Sequence, residues 1–209
     1  IVGDFMKNLI FAIVEEENSN GKLIAKKLSQ ELNIPFYDKD IVKLASKNSN
    51  IRENIFYTVE DWKLNKLIYP FPADFCIGFT IPYLTDFIPI QNKVFIEKSK
   101  AIKELTQDKS CIIFCKCSNY ILKDYKNCFN VLIYAKDDDR IKNLNENNAF
   151  SLKECKKHLR KKDKKLSSYY GYYVGENWDN KKCYDIFLNS STLGVNNCVN
   201  ILKILFFKY

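Results

Sequence analysis

A chain of 209 residues that is 46% hydrophobic and 14% aromatic has material for one substantial core and need not hold a second domain. It contains no apolar run of the roughly 18 residues that would span a bilayer, which argues against a membrane protein, and its eight cysteines lack the spacing of a disulfide framework, which points to reduced thiols in a cytoplasm. The net charge of +8 is densest over residues 153–165, a block that reads first as a solvated helix face and second as a holder of polyphosphate or nucleic acid. Residues 1–5 are too short for a secretory leader, and Met6 reads as an original start, so the first five residues are expected to be upstream sequence.

Residues 9–14, Leu-Ile-Phe-Ala-Ile-Val, are apolar without alternation, as expected of a strand covered on both faces in a parallel sheet. Ile24, Leu28 and Leu32, with Ala25 beside them, place one apolar face on a helix over 22–33. Between them lie Glu15-Glu16-Glu17-Asn18-Ser19-Asn20-Gly21. A turn that delivers a strand into a helix N-terminus aims unpaired backbone N–H groups at one spot and can hold a phosphate, although this stretch reads equally well as an ordinary turn. A standard phosphate loop follows its lysine with a hydroxyl, whereas Leu23 follows Lys22 here. Asn18 and Asn20 stand where glycine would let the backbone curl, and asparagine tolerates positive φ better than other side chains. The three glutamates repel a phosphate if they face it and do nothing if they face solvent.

Downstream, Ile34-Pro35-Phe36-Tyr37-Asp38 reads as a short strand, with Asp38 placed to cap a helix over 40–46. From 49 to 89 the pattern loosens into aromatics and prolines, too apolar for a disordered linker. This stretch is predicted to be an inserted flap, and its aromatic part, 68–90, a contact surface for the core or for a second copy of the chain. A helix over 91–108, with Val94, Ala101, Ile102 and Leu105 on one stripe, runs into a buried-type strand over 111–115. Cys115 and Cys117 have no partner pair at ligand spacing, so no metal site is expected. A short helix over 119–123 precedes another strand, 129–135. Asp137, Asp138 and Asp139 open the next helix, Ser151-Leu152-Lys153-Glu154 is a capping box that starts the basic helix, and a strand over 184–189 leads to a closing helix. Alternating strands and helices argue for α/β layers around a parallel sheet.

Five stretches in register resemble the cytidylate kinase-like family, a branch of the P-loop nucleoside monophosphate kinases. They are Asn18-Ser19-Asn20-Gly21-Lys22-Leu23-Ile24-Ala25, Leu32-Asn33-Ile34-Pro35-Phe36-Tyr37-Asp38-Lys39, Cys115-Lys116-Cys117-Ser118-Asn119-Tyr120-Ile121-Leu122, Lys161-Lys162-Asp163-Lys164-Lys165 leading to Tyr169-Tyr170, and Trp178 followed by Tyr184-Asp185 and Leu193-Gly194. The resemblance implies a single domain over 1–209 with a P-loop kinase-like, three-layer α/β/α fold and a parallel central sheet. It also implies a monophosphate-side insertion over 38–90 and a lysine-rich helical lid over 151–182 that closes to exclude water. ATP with Mg2+ would bind at Asn18, Ser19, Asn20, Gly21, Lys22 and Leu23, with Ser19 and Gly21 acting through backbone donors. Lys22, Lys116, Arg160, Lys164 and Lys165 would carry the transferring phosphate, and Asp38, Lys116 and Asn119 the nucleoside monophosphate. Lys116 also ends a buried-type strand, where open α/β sheets collect ligands.

The implied activity is phosphate transfer from ATP to a nucleoside monophosphate, cytidylate first. Three departures weaken phosphate handling. Glu15 stands where the family has a basic residue, Lys116 where it has arginine, and Leu166 where a further lid arginine is common. A nucleotide-binding protein without transfer is therefore the first alternative. A nucleic-acid-binding module using the lid helix is the second, and the absence of any recognised nucleic-acid motif argues against it. Asp163 is expected to pair with a neighbouring lysine, His158 to lie on the surface, and Tyr169, Tyr170, Tyr172, Tyr173 and Trp178 to be structural.

Overall fold

The computed structural model of the chain describes residues 8–60, 88–146 and 150–208. The unalternating run forms β1 (Ile10–Glu15), the middle of a parallel sheet completed by β2 (Phe36–Tyr37), β3 (Cys111–Phe114), β4 (Cys128–Tyr134) and β5 (Ile186–Asn189) in the order β2-β3-β1-β4-β5. Ile10 pairs with Cys111 on one side and Cys128 on the other. Both faces of β1 are covered, and its side chains alternate between two cores as a strand requires. Ile10, Ala12 and Val14 face α2 (Lys39–Ser49), α3 (Glu53–Glu60) and α4 (Ile90–Leu105). Phe11 and Ile13 face α1 (Gly21–Leu32) and α8 (Ser190–Lys208) through Ile24, Leu28, Val199 and Leu202. Three layers result, helix on sheet on helix. The remaining helices are the short α5 (Ser118–Ile121), α6 (Asp137–Asn145) and the long α7 (Leu152–Tyr173).

Three local expectations are corrected. The second strand is only two residues long, because Pro35 has no N–H to give and contributes only its carbonyl, which accepts from Ile112 N at 2.9 Å. Asp38 occupies the N-cap position of α2, yet its side chain makes no capping bond. The stretch read as an irregular flap also begins with a helix, α3, which buries Phe56 and Val59. The aromatic residues 68–87, and with them most of the proposed contact surface, lie outside the described residues, as does the segment 1–5.

The basic helix begins as its capping box predicts: Ser151 Oγ accepts from Glu154 N while the Glu154 carboxylate accepts from Ser151 N. Its first half rests on α6 through Cys155 and Leu159 against Ile141 and Leu144, and its far end is locked into the core by buried tyrosines. Tyr173 stacks on Phe95 at 4.1 Å. The wholly buried Tyr170 hydroxyl accepts from Cys117 N (3.0 Å) and donates to Asn119 Oδ1 (2.8 Å), joining the far end of α7 to the turn after β3. Removing that oxygen strands the Cys117 N–H in a dry site. Tyr170→Phe is therefore expected to cost about 1–3 kcal/mol in urea unfolding; an unchanged midpoint would show that the hydroxyl does not join the two elements.

Candidate functional site at the β1–α1 loop

The loop is shaped by its asparagines. Asn18 and Asn20 both take the left-handed conformation at φ 63°, the role their tolerance of positive φ suggests. Its carbonyls are tied from three sides. Ser190 Oγ donates to Ser19 O (2.7 Å), Asn143 Nδ2 to Asn18 O (2.8 Å), and Arg140 Nε to Glu17 O (2.9 Å). Ser19 is fully buried, with its own hydroxyl donating to Ile133 O.

The three glutamates separate. Glu15 turns inward, and its Oε2 accepts from the backbone N–H of Lys22 at 3.0 Å, at the first turn of α1. Gly21 makes room for it, since a Cβ there would stand 2.6 Å from both the Cβ and the Oε2 of Glu15. Burial pushes the Glu15 carboxyl up to about 7, reinforced by the nearby Glu17 and opposed by the N–H groups of Lys22 and Gly21 and by the Lys22 charge. Glu16 accepts from Ala135 N and lies 3.6 Å from Arg140, with burial again raising its carboxyl. Glu17 pairs with Lys162 at 3.5 Å.

Arg140, nearly inaccessible, forks onto Asp163 of α7 at 2.6 and 3.2 Å and also reaches Asp137. Asp163 thus pairs with a distant arginine rather than a neighbouring lysine. Lys22 reaches Asp38, its Nζ 2.5 Å from Oδ2. That contact gives Asp38 a partner other than the helix it was expected to cap.

Beside the loop, at the carboxyl ends of β1 and β3, lies a cleft of about 250 Å³. Lys39, Lys98, Lys116, Lys162 and Lys165 line it together with Glu15, Glu17, Asp38 and Asp163. Lys116 is where the strand end was expected to place it, 5.7 Å from the centre of the Tyr169 ring. Lys165 also reaches the cleft. Arg160 and Lys164 do not: both are exposed on α7, because a helix turning 100° per residue cannot bring Arg160, Lys164 and Lys165 to one side. Asn119 is buried with its amide engaged by Tyr170 and by Cys183 O, a structural placement rather than the substrate contact expected of it. Leu166 is buried in the cleft wall, and Leu23 is 54% exposed.

Lys98 was missed. It is only 6% exposed and falls on the same stripe as Val94, Ala101 and Ile102; a lysine on a core-facing stripe is the signal that could have found it. Among the described residues no group of three or more His, Cys, Asp or Glu is arranged to hold a metal ion, and no helix is long and apolar enough to cross a membrane. The loop as it stands does not fit ATP with Mg2+. A carboxylate already holds the Lys22 N–H, and Leu23 offers no hydroxyl to a cation.

A parallel sheet of this order, with a loop and helix following its central strand, defines a P-loop kinase-like fold. The model of the cytidylate kinase-like family matches residues 10–192, and the chain belongs to that family. Its fold is similar to that of an uncharacterized protein from Eubacterium ventriosum ATCC 27560, with TM-score 0.70, 24% identity, and coverage of 97% of this chain and 100% of that one. It is also similar to shikimate kinase from Bacteroides thetaiotaomicron (TM-score 0.54, 9% identity, 94% and 97% covered). A gluconokinase from Sinorhizobium meliloti 1021 matches with TM-score 0.50 and 10% identity over 96% and 97%. No curated protein matches the chain by sequence. Family and fold together make this a kinase-like protein.

The raised Glu15 carboxyl has a signed consequence for stability. Between the ordinary 4.5 and about 7 the folded chain holds a proton that the unfolded chain releases. Glu15 therefore favours the folded state most at low pH, and that contribution falls as pH rises through the window, by up to about 3 kcal/mol. Urea unfolding at about pH 5 and about pH 8 is expected to show a larger loss for the natural chain than for Glu15→Gln; identical losses would mean that Glu15 titrates as an ordinary surface carboxyl.

Proposed function

We propose that the cleft receives the phosphate of a nucleoside monophosphate, cytidylate first, and that the chain acts in the manner of its family as a nucleoside monophosphate kinase. The observation that carries this reading is the convergence of five lysines, one of them buried, on a single cleft at the carboxyl edge of a parallel sheet. A phosphate dianion placed there meets five lysines beside four carboxyl groups, so it gains most at the Lys98 and Lys116 end, away from the Glu17–Lys162 pair, in a partly desolvated setting where each charge counts for more than in bulk water. Lysines act as point charges rather than bidentate forks, so they attract the phosphate more than they orient it.

ATP with Mg2+ is the donor that family membership suggests. With Glu15 held in the loop, the arrangement supports the acceptor side better than the donor side, and this favours a second reading in which the chain binds nucleotide without transferring phosphate. The two readings separate in a coupled turnover assay across the common monophosphates with ATP and Mg2+: turnover with cytidylate supports transfer, and binding without turnover supports the second reading.

Both readings share one expectation. Lys116→Ala and Lys98→Met are expected to weaken cytidylate binding about tenfold or more by calorimetry, in keeping with charge-assisted contacts of about 1.5–3 kcal/mol. Arg160→Ala and Lys164→Ala, outside the cleft, are expected to leave it within about twofold. Cytidylate binding indifferent to Lys116→Ala would overturn the assignment of the cleft.

A further inference from the structure

A loop of this kind meets a phosphate with two things, backbone N–H groups at the helix start and the lysine that follows the glycine. Both are engaged here by the chain's own carboxylates. Glu15 Oε2 is 3.0 Å from Lys22 N, and Asp38 Oδ2 is 2.5 Å from Lys22 Nζ. Glu15 is no passing surface side chain. It is seated in the space that Gly21 leaves open, where even one added methyl would collide with it at 2.6 Å.

We infer that the Glu15 side chain is a resident occupant in the place of a donor phosphate, so that a nucleoside triphosphate binds this loop only by displacing its carboxyl from the first turn of α1. The inference rests on the reading above that the loop and cleft serve a nucleotide. Position supports it as well as contact. Glu15 and Glu17 both border the lysine cleft and a second hollow lined by Asn18, Asn20, Lys26 and Asn143; of the two, Glu15 reaches the first turn of α1, while Glu17 pairs with Lys162. In a phosphate-transferring member the donor and acceptor phosphates would meet at such a boundary, and here a carboxylate stands on it. An ionised carboxylate and a polyphosphate cannot share the site without strong repulsion, so the carboxylate must move, or the donor stays out. Glu15 is then the residue that sets how strongly the loop discriminates against a triphosphate.

The test is calorimetry of ATP at about pH 8, where the Glu15 carboxyl is ionised, with and without Mg2+, on the natural chain, Glu15→Ala and Glu15→Gln. Glu15→Ala is expected to bind ATP about tenfold tighter or more, the change that removal of one close like charge produces. Glu15→Gln keeps the shape and an acceptor for Lys22 N while losing the charge, so it is expected to gain less and to guard against a folding artefact. ATP affinity within about twofold of the natural chain in both variants, or undetectable binding throughout, would overturn the inference. Cytidylate titrated into the same proteins separates the failures. If it binds, only the role of Glu15 falls; if it does not, the nucleotide reading of the cleft falls with it.

Discussion

The first turn of α1 presents backbone N–H groups that no helical carbonyl can satisfy, and the site is built around the anion that answers them. In this chain the answer is internal. Glu15, at the end of the central strand, reaches back to Lys22 N, and Gly21 yields the space that makes the reach possible. A carboxylate drawn out of water is costly unless bonded, and the helix start offers the bond. The result is a loop that holds its shape without a ligand, with the lysine beside it already paired to Asp38.

Arg140, together with Ser190 and Asn143, joins that loop to the rest of the molecule. A guanidinium with almost no solvent contact bonds the Glu17 carbonyl and forks onto Asp163, so one side chain links the loop to the basic helix. Asp163 lies within the stretch that also carries Lys162 and Lys165, which places those two lysines over the cleft and leaves Arg160 and Lys164 in water. The tyrosines at the far end of α7 fasten it to α4 and to the turn that presents Lys116. The lysines of the cleft thus come from α2, α4, the turn after β3 and α7, which meet because the fold brings them together.

Much of this was legible in the sequence, and the exceptions share a cause. The long apolar runs announced β1, β3 and β4, since an unalternating strand has only one kind of environment available to it. The capping box at Ser151 and the left-handed asparagines were local chemistry and came out as read. Lys116 was placed by the rule that ligands gather at strand ends. What could not be read were partnerships across long separations. Nothing near Asp163 in sequence points to Arg140, nothing near Asn119 points to Tyr170, and a single glutamate facing inward is indistinguishable from its two neighbours until the loop is folded. Lys98 and α3 were missed differently: each carried a helical-period signal that was overlooked, once because a charge interrupted an apolar stripe and once because aromatic residues downstream dominated the reading.

Where the Glu15 carboxyl sits decides whether the loop is closed to an outside phosphate, and carbon-13 NMR of that side-chain carboxyl across a pH titration reads its surroundings directly. A carboxyl held against the first turn of α1 and largely withdrawn from water is predicted to titrate with a midpoint of about 7. A midpoint at the ordinary 4.5 would mean that the side chain is solvated and that the loop is open to a phosphate from outside.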